Sequence, residues 1–432
     1  MRHILPILFL TLFSFLLQAQ SANDIIASLK NINQSVANSH SAISHRAMNV
    51  FLADKTGYLG GSTELSFFTN YISANSAEGR FTVSHNFQSK AKNNDAPIRQ
   101  LLNIGFDATL GGNYAKSFQD NRFENALALT ASYKWLCKVK TKFATGDAGK
   151  QQQQTMDALR AGLIAQLQQE VLAKEKAFNL ALDSIDSKAL PNLDTAAAKQ
   201  IAKKNFLAQL QIDYEEKFAI EQARLLSGTA NFAVVSTGWT TLSVYVPAFF
   251  PKYSVANTLA DPFTKKHPYP LQATLCHTRL WEIQNAGRLF ISCNAGILFN
   301  NSKLAYGLNR MDYASYKSLG GTDTQVATDP ANNNLYIGSY SNFITASLTA
   351  RVVYFPANSH VGLSVLAQKN WGSYDPLHIK AGVPIVIINS KKMPALSIEC
   401  YAMFFAVTNN IANMGKTAVG VSLGIPVSRL MF

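Results

Sequence analysis

Beyond its first 20 residues, this chain lacks any apolar run approaching 18 residues. A helix that crosses a bilayer needs about 20 apolar residues, so no helical membrane span is expected there. Cysteine is scarce as well. The four present (Cys137, Cys276, Cys293 and Cys400) are not at metal-ligand spacing. Cys276 and Cys293 fall on consecutive predicted strands and are the one pair that could meet in an oxidising compartment, diagonally rather than face to face. Acidic residues are few: 26 Asp and Glu stand against 39 Lys and Arg, a formal charge of +13. Catalytic signatures are missing too. There is no Gly-x-Ser-x-Gly elbow, no His-Glu-x-x-His and no phosphate-binding glycine loop. Gly320-Gly321 reads as a loop turn. No residue is read as catalytic, cofactor-binding or metal-ligating, and no cofactor is expected.

What is present begins at the N-terminus. Met1-Arg-His precedes an apolar run from Ile4 to Leu17, followed by Gln18-Ala-Gln-Ser-Ala. A charged start, an apolar core of about 14 residues and a small-residue cleavage region form a secretory signal pattern. Residues 1–20 are therefore read as a signal peptide. The mean hydropathy is +0.01. A barrel whose strands are half lipid-facing and half lumen-facing has this bland average. The basic residues are scattered, with no basic helix or compact cluster, so nucleic acid is not an expected partner.

Segments of period two recur through the chain. They read as strands at about 62–71, 79–88, 99–114, 122–138, 229–247, 270–284, 287–299, 339–355, 360–370, 376–389, 395–408 and 417–432. Ile379, Ala381, Val383, Ile385 and Ile387 share one face, with Lys380 between them. Leu396, Ile398, Cys400, Ala402 and Phe404 oppose Glu399 and Tyr401. Ile344, Ala346, Leu348, Ala350 and Val352 oppose Thr345, Ser347, Thr349 and Arg351. In the last strand Val419, Val421, Leu423, Ile425 and Val427 alternate with Gly420, Ser422, Gly424 and Ser428, and the sequence ends on Phe432. A closing strand ending in an aromatic, on a chain with an export signal, resembles those of Gram-negative outer-membrane β-barrels. The Asn-, Gln- and Tyr-rich loops are similar to those of Bacteroidota barrels. The resemblance implies an all-β transmembrane barrel of about 12 antiparallel strands in the outer membrane, in contact with its lipid. In such barrels the terminal aromatic shares the lipid face. Phe432 is out of parity with Val419–Val427, so a bulge near Ser428-Arg429 is expected.

Counting back from the C-terminus, the periplasmic connections Asn389–Met393, Pro356–Ser359 and Gln284–Gly287 are short and carry turn residues. Two of the alternate connections, about 300–338 and 248–269, are long, as outer-membrane barrels require. Residues 150–226 break the pattern. Met156, Leu159, Leu163, Leu167 and Val171, then Leu207, Leu210, Tyr214 and Phe218, recur at helical spacing. They predict an inserted α-helical hairpin between strands 4 and 5, split at Leu190-Pro-Asn-Leu-Asp-Thr, with Asp194 or Thr195 as cap. The expected organisation is 1–20 signal, 21–58 periplasmic or plug segment, 59–149 strands 1–4, 150–226 hairpin and 227–432 strands 5–12. By parity, the lumen-facing polar candidates are Glu64, Arg80, Asp107, Lys134, Arg351, Lys380 and Glu399. His277 and Arg279 share a face with Trp281, and parity leaves their side of the wall open. The expected function is a solute channel or ligand-binding barrel. The alternative is a scaffold that docks a periplasmic protein or the cell wall through the hairpin. An outer-membrane lipase or protease is a third class, unsupported by any motif.

Overall fold

A computed structural model describes residues 21–39, 41–57, 69–75, 80–88, 98–110, 125–184, 195–229, 231–248, 253–258, 261–267, 269, 271–302, 308–310, 335–389, 394–404, 407 and 417–429. Two helices come first, α1 (Ala22–Asn38) and α2 (His45–Thr56). Ser21 caps α1 with a reciprocal box to Asp24, and the Ser44 side chain caps α2 by accepting from Ala47 N. Four antiparallel strands follow: β1 (Thr69–Asn75), β2 (Arg80–Gln88), β3 (Gln100–Leu110) and β4 (Asn125–Leu136). The hairpin comes next, α3 (Asp147–Asp183) and α4 (Thr195–Thr229). Eight further strands complete the wall: β5 (Val234–Pro247), β6 (Gln272–Ile283), β7 (Gly287–Asn301), β8 (Asn342–Pro356), β9 (Leu363–Gly372), β10 (Leu377–Ile388), β11 (Pro394–Phe404) and β12 (Thr417–Arg429).

Each strand pairs with its neighbour in sequence, β4 pairs with β5 across the hairpin, and β1 pairs with β12. The wall is thus a closed antiparallel barrel of twelve strands without an open edge. The bulge expected near Ser428-Arg429 lies one residue earlier. Asn70 pairs with Ser428 and Tyr71 with Pro426, so Val427 is skipped. Phe432 lies outside the described residues. The loops read at 248–269 and 300–338 contain more order than expected. Tyr253–Ala256, Thr264–Lys266, Asn309–Arg310 and Leu335–Ile337 form a small separate sheet around Tyr253, Val255, Leu308 and Tyr336.

The helices gather at the end of the barrel that carries the short turns, here called the helix end. The turn at 284–286 shows why it is tight: Asn285 and Gly287 adopt φ of 61° and 105°. Helix α1 does not enter the lumen. Ala22, Ile25 and Leu29 pack against Ile164, Leu167 and Val171 of α3 and Leu207, Leu210, Tyr214 and Phe218 of α4. Helix α2 lies between this bundle and the barrel. Its Ala47, Met48, Val50, Phe51, Leu52 and Ala53 share one apolar core with Ala219, Ala223 and Leu226 of α4. The same core takes in Leu101, Trp239, Leu280, Phe290, Phe355 and Val386, from six strands around the wall. Within residues 21–58, α1 packs on the hairpin and α2 packs between the hairpin and the barrel wall.

Candidate functional site

The alternation of each strand sorts side chains to two sides of the wall. Outward go Leu129, Leu242, Val244, Leu275, Ile297, Leu348, Val365 and Ile387, all exposed. Inward go Thr82, Ser84, Asn86, Asn103, Thr241, Thr278, Ser292, Thr345, Ser397 and Ser422, all buried. The interior of this barrel is polar and its exterior apolar, the reverse of a soluble protein.

Exposed aromatics lie outward at both ends of the apolar band. Phe87, Trp135 and Tyr354 are on the helix-end side; Phe81, Phe106, Phe299, Trp371 and Phe404 are on the opposite, loop-end side. Trp371 pairs with Ala346, eight residues along β8 from Tyr354. That spans about 27 Å of strand, or about 21 Å along the axis at a tilt near 40°. Transmembrane barrels show an apolar band about 25 Å tall between aromatic girdles. Among the described residues, no helix is long and apolar enough to cross a membrane.

Inside the wall, charge concentrates at two levels. Near mid-wall, four adjacent strands bring Arg351, Ser364, Lys380 and Glu399 together. Glu399 Oε2 lies 2.8 Å from Lys380 Nζ and 3.3 Å from Arg351 Nη2. The Ser364 hydroxyl donates to the other carboxylate oxygen. Lys380 Nζ also sits 3.8 Å from the centroid of the Tyr401 ring. Gly382 makes the space, since a Cβ there would stand 2.9 Å from both Glu399 Oε1 and Ser364 Oγ. The charged side chains keep only 10–14% of their accessible surface. These side chains pack against one another and against one arc of the wall.

The second level is the helix-end mouth. Arg288 and Glu282 pair directly across the β6–β7 turn, with Arg288 Nε 2.6 Å from Glu282 Oε2. Lys55 of α2 reaches the other oxygen at 3.3 Å and lies 5.0 Å above the Phe51 ring. Burial, reinforced by the nearby Arg288 charge, holds the Lys55 ammonium below its ordinary 10.5, and Glu282 opposes that shift. Further ties fasten this closure to the bundle. Ser44 N donates to Gln222 Oε1 at 2.9 Å, and Arg46 lies 3.6 Å from Glu215. Arg160, almost wholly buried, donates from Nε to Asn33 Oδ1 at 2.8 Å and also binds the Ala42 carbonyl.

Of the sequence candidates, Arg351, Lys380 and Glu399 are brought together. Lys134 is fully buried on β4, away from that trio. Glu64 lies outside the described residues, as do the side chains of Arg80 and Asp107. The latter two occupy strand positions paired with Thr109, and with Thr82 and Ala128. His277 and Arg279 face outward, on the exposed face with Leu275. The disulfide is corrected: Cys276 and Cys293 are both free, one buried inward and one exposed outward. Cys276 pairs with Asn294 and Cys293 with His277, and a one-residue offset in a pleated pair puts two side chains on opposite faces. The mouth cluster was missed in sequence. Glu282 and Arg288 stand symmetrically about a turn, which is a cross-strand signal. Lys55 carried none, because a helix-to-strand contact leaves no period.

No protein-family model matches the chain, and no curated protein does. Among solved structures it is similar to a NanC porin, at a TM-score of 0.28 and 6% identity over 83% of this chain and 98% of that one. It is also similar to the β-domain of the Bordetella autotransporter Brka, at 0.27 and 7% over 83% and 96%. The CymD monoaromatic hydrocarbon channel follows at 0.25 and 7% over 87% and 94%. The barrel itself rests on the closed strand order of this chain.

Proposed function

We propose that this protein spans an outer membrane as a gated barrel, which takes polar solute at its loop end and is held shut at its helix end by α2. The observation that carries this reading is the seal, one helix packed against inward residues of six strands and pinned by Lys55 to Glu282. The girdled apolar band supports membrane insertion. The short-turn end, with its helices, is read as periplasmic. Ser, Thr and Asn linings suit polar solutes, and the Arg351–Lys380–Glu399 group supplies charged ligands at mid-lumen.

Single-channel recording in planar bilayers tests this. The full chain is expected to show rare, brief openings. Glu282→Lys, which sets a third cation against Lys55 and Arg288, is expected to open more often by about tenfold, the weight of about 1.4 kcal/mol. Lys55→Cys with Glu282→Cys, oxidised, is expected to stay silent until reduced. Steady conductance by the oxidised pair would show that α2 does not close the path.

A second reading has its own observation. The first residue of α1, Ala22, sits with its amide 3.4 Å from Glu175, and α3 runs on beyond that point to Asp183. Leu180 and Ile201, both more than 60% exposed, lie on this part of the hairpin. We propose it as a docking arm for a periplasmic protein. Leu180→Ser with Ile201→Ser should abolish co-purification of a partner while leaving the barrel folded. Unchanged co-purification would count against it.

A further inference from the structure

Among the described residues the outward face of the strands carries little charge, and three of its cations lie close together. At the helix end a short strand, Lys140–Lys142, extends the sheet beside β5. Lys140 pairs with Ser236, which pairs with Trp281; Lys142 pairs with Val234, which pairs with Ile283. One row further along the wall, Arg279 pairs with Gly238. Lys140, Lys142 and Arg279 are all exposed, and none makes an ion pair among the described residues. The outward positions of β5 and β6 hold no acidic residue. Lys369, an outward lysine at the loop end, instead has Asp375 beside it at 3.9 Å.

The patch is built into the girdle. The Arg279 guanidinium lies 5.5 Å from the Trp281 ring, so the side chain bends from the apolar band toward the helix end. Gly238 leaves the space beside it, since a Cβ there would stand 3.2 Å from Arg279 Cγ. His277, in the next row, is held by Thr240 at 3.0 Å. Trp135 pairs with Thr240 and closes the side of the patch. A guanidinium facing lipid is costly at the midplane and far less so near an interface. A phosphate at interface depth removes that cost by accepting its paired N–H groups.

We infer that this wall is a binding site for the phosphate headgroup of an anionic phospholipid at the helix-end interface. Arg279 grips the phosphate, Lys140 and Lys142 supply field, and Trp135 and Trp281 flank the glycerol region. This rests on the reading that the barrel spans a membrane. A lipid suits the site better than a protein partner because it continues directly into the apolar band above it.

Tryptophan quenching by brominated lipids tests it on the full chain. Trp371→Phe removes the loop-end signal, and Trp239 is buried inside, which leaves Trp135 and Trp281 as reporters. In vesicles of phosphatidylcholine, brominated phosphatidylglycerol should quench in preference to brominated phosphatidylcholine. Arg279→Gln and Lys140→Gln with Lys142→Gln should each lower that preference, by about fivefold per cation removed. Lys369→Gln should leave it unchanged. Inorganic phosphate at constant ionic strength should not compete; full competition would make the ligand free phosphate and overturn the lipid assignment. Equal quenching by both lipids, unmoved by the variants, would refute the site while leaving membrane insertion standing. Absence of quenching by either lipid, with a dimer that Arg279→Gln dissociates, would make the patch a protein interface. Failure to insert into any vesicle would overturn both the site and the membrane reading.

Discussion

At the scale of single residues, Glu399 is the hinge of the lumen electrostatics. Its carboxylate meets both Arg351 and Lys380. Glu399→Gln leaves Arg351 and Lys380, both little exposed, without their carboxylate, and breaking a buried pair costs about 3–5 kcal/mol. The variant should unfold from detergent at lower urea than the parent, and a midpoint unchanged within error would refute the pairing. Gly382→Ala drives a methyl into the same carboxylate, with an expected loss of about 1–3 kcal/mol in the same assay. Lys55 gives a pH signature. Its pKa is held below 10.5 in the folded protein, so between the two values the unfolded chain binds more protons. The stability contributed by the α2 seal therefore rises with pH across that window and is flat below it. Lys55→Met keeps the packing and removes the titration, so the difference between the two melting curves should grow as pH approaches 10.5.

At the scale of elements, period carried most of the information. Most strands were legible because each has one lipid face and one lumen face, which forces strict alternation; the first, read at about 62–71, is found at Thr69–Asn75. The hairpin was legible because its Leu, Tyr and Phe stripe follows the helical repeat, although its arms extend beyond 150–226 at both ends. Helix α2 falls in the segment read only as periplasmic or plug. Nine of its twelve residues are buried, Arg46 and Asn49 among them, so it has no solvent face and hence no amphipathic pattern. The small loop sheet was missed because strands of two to four residues are too short to show alternation.

At the scale of the whole molecule, closure is the main event. With β1 hydrogen-bonded to β12, no strand can peel from an edge, and the barrel should resist dodecyl sulfate until heated. Unheated samples are expected to migrate faster on gels than boiled ones, as compact and unfolded forms of one chain. Equal mobility would argue against a closed wall.

By itself, the sequence determined the alternation along the strands, their even number and the inserted helical hairpin. Those features are local, and a period of two or of 3.6 residues writes them along the chain. The tertiary structure alone decided that α2 packs against six strands, that Lys55 meets Glu282, that two cysteines on neighbouring strands face opposite ways and that Arg279 faces outward. Each depends on register or on contacts between residues far apart in the chain. A shift of one residue in a pleated pair exchanges lumen for lipid, while the alternating pattern along the strand stays the same.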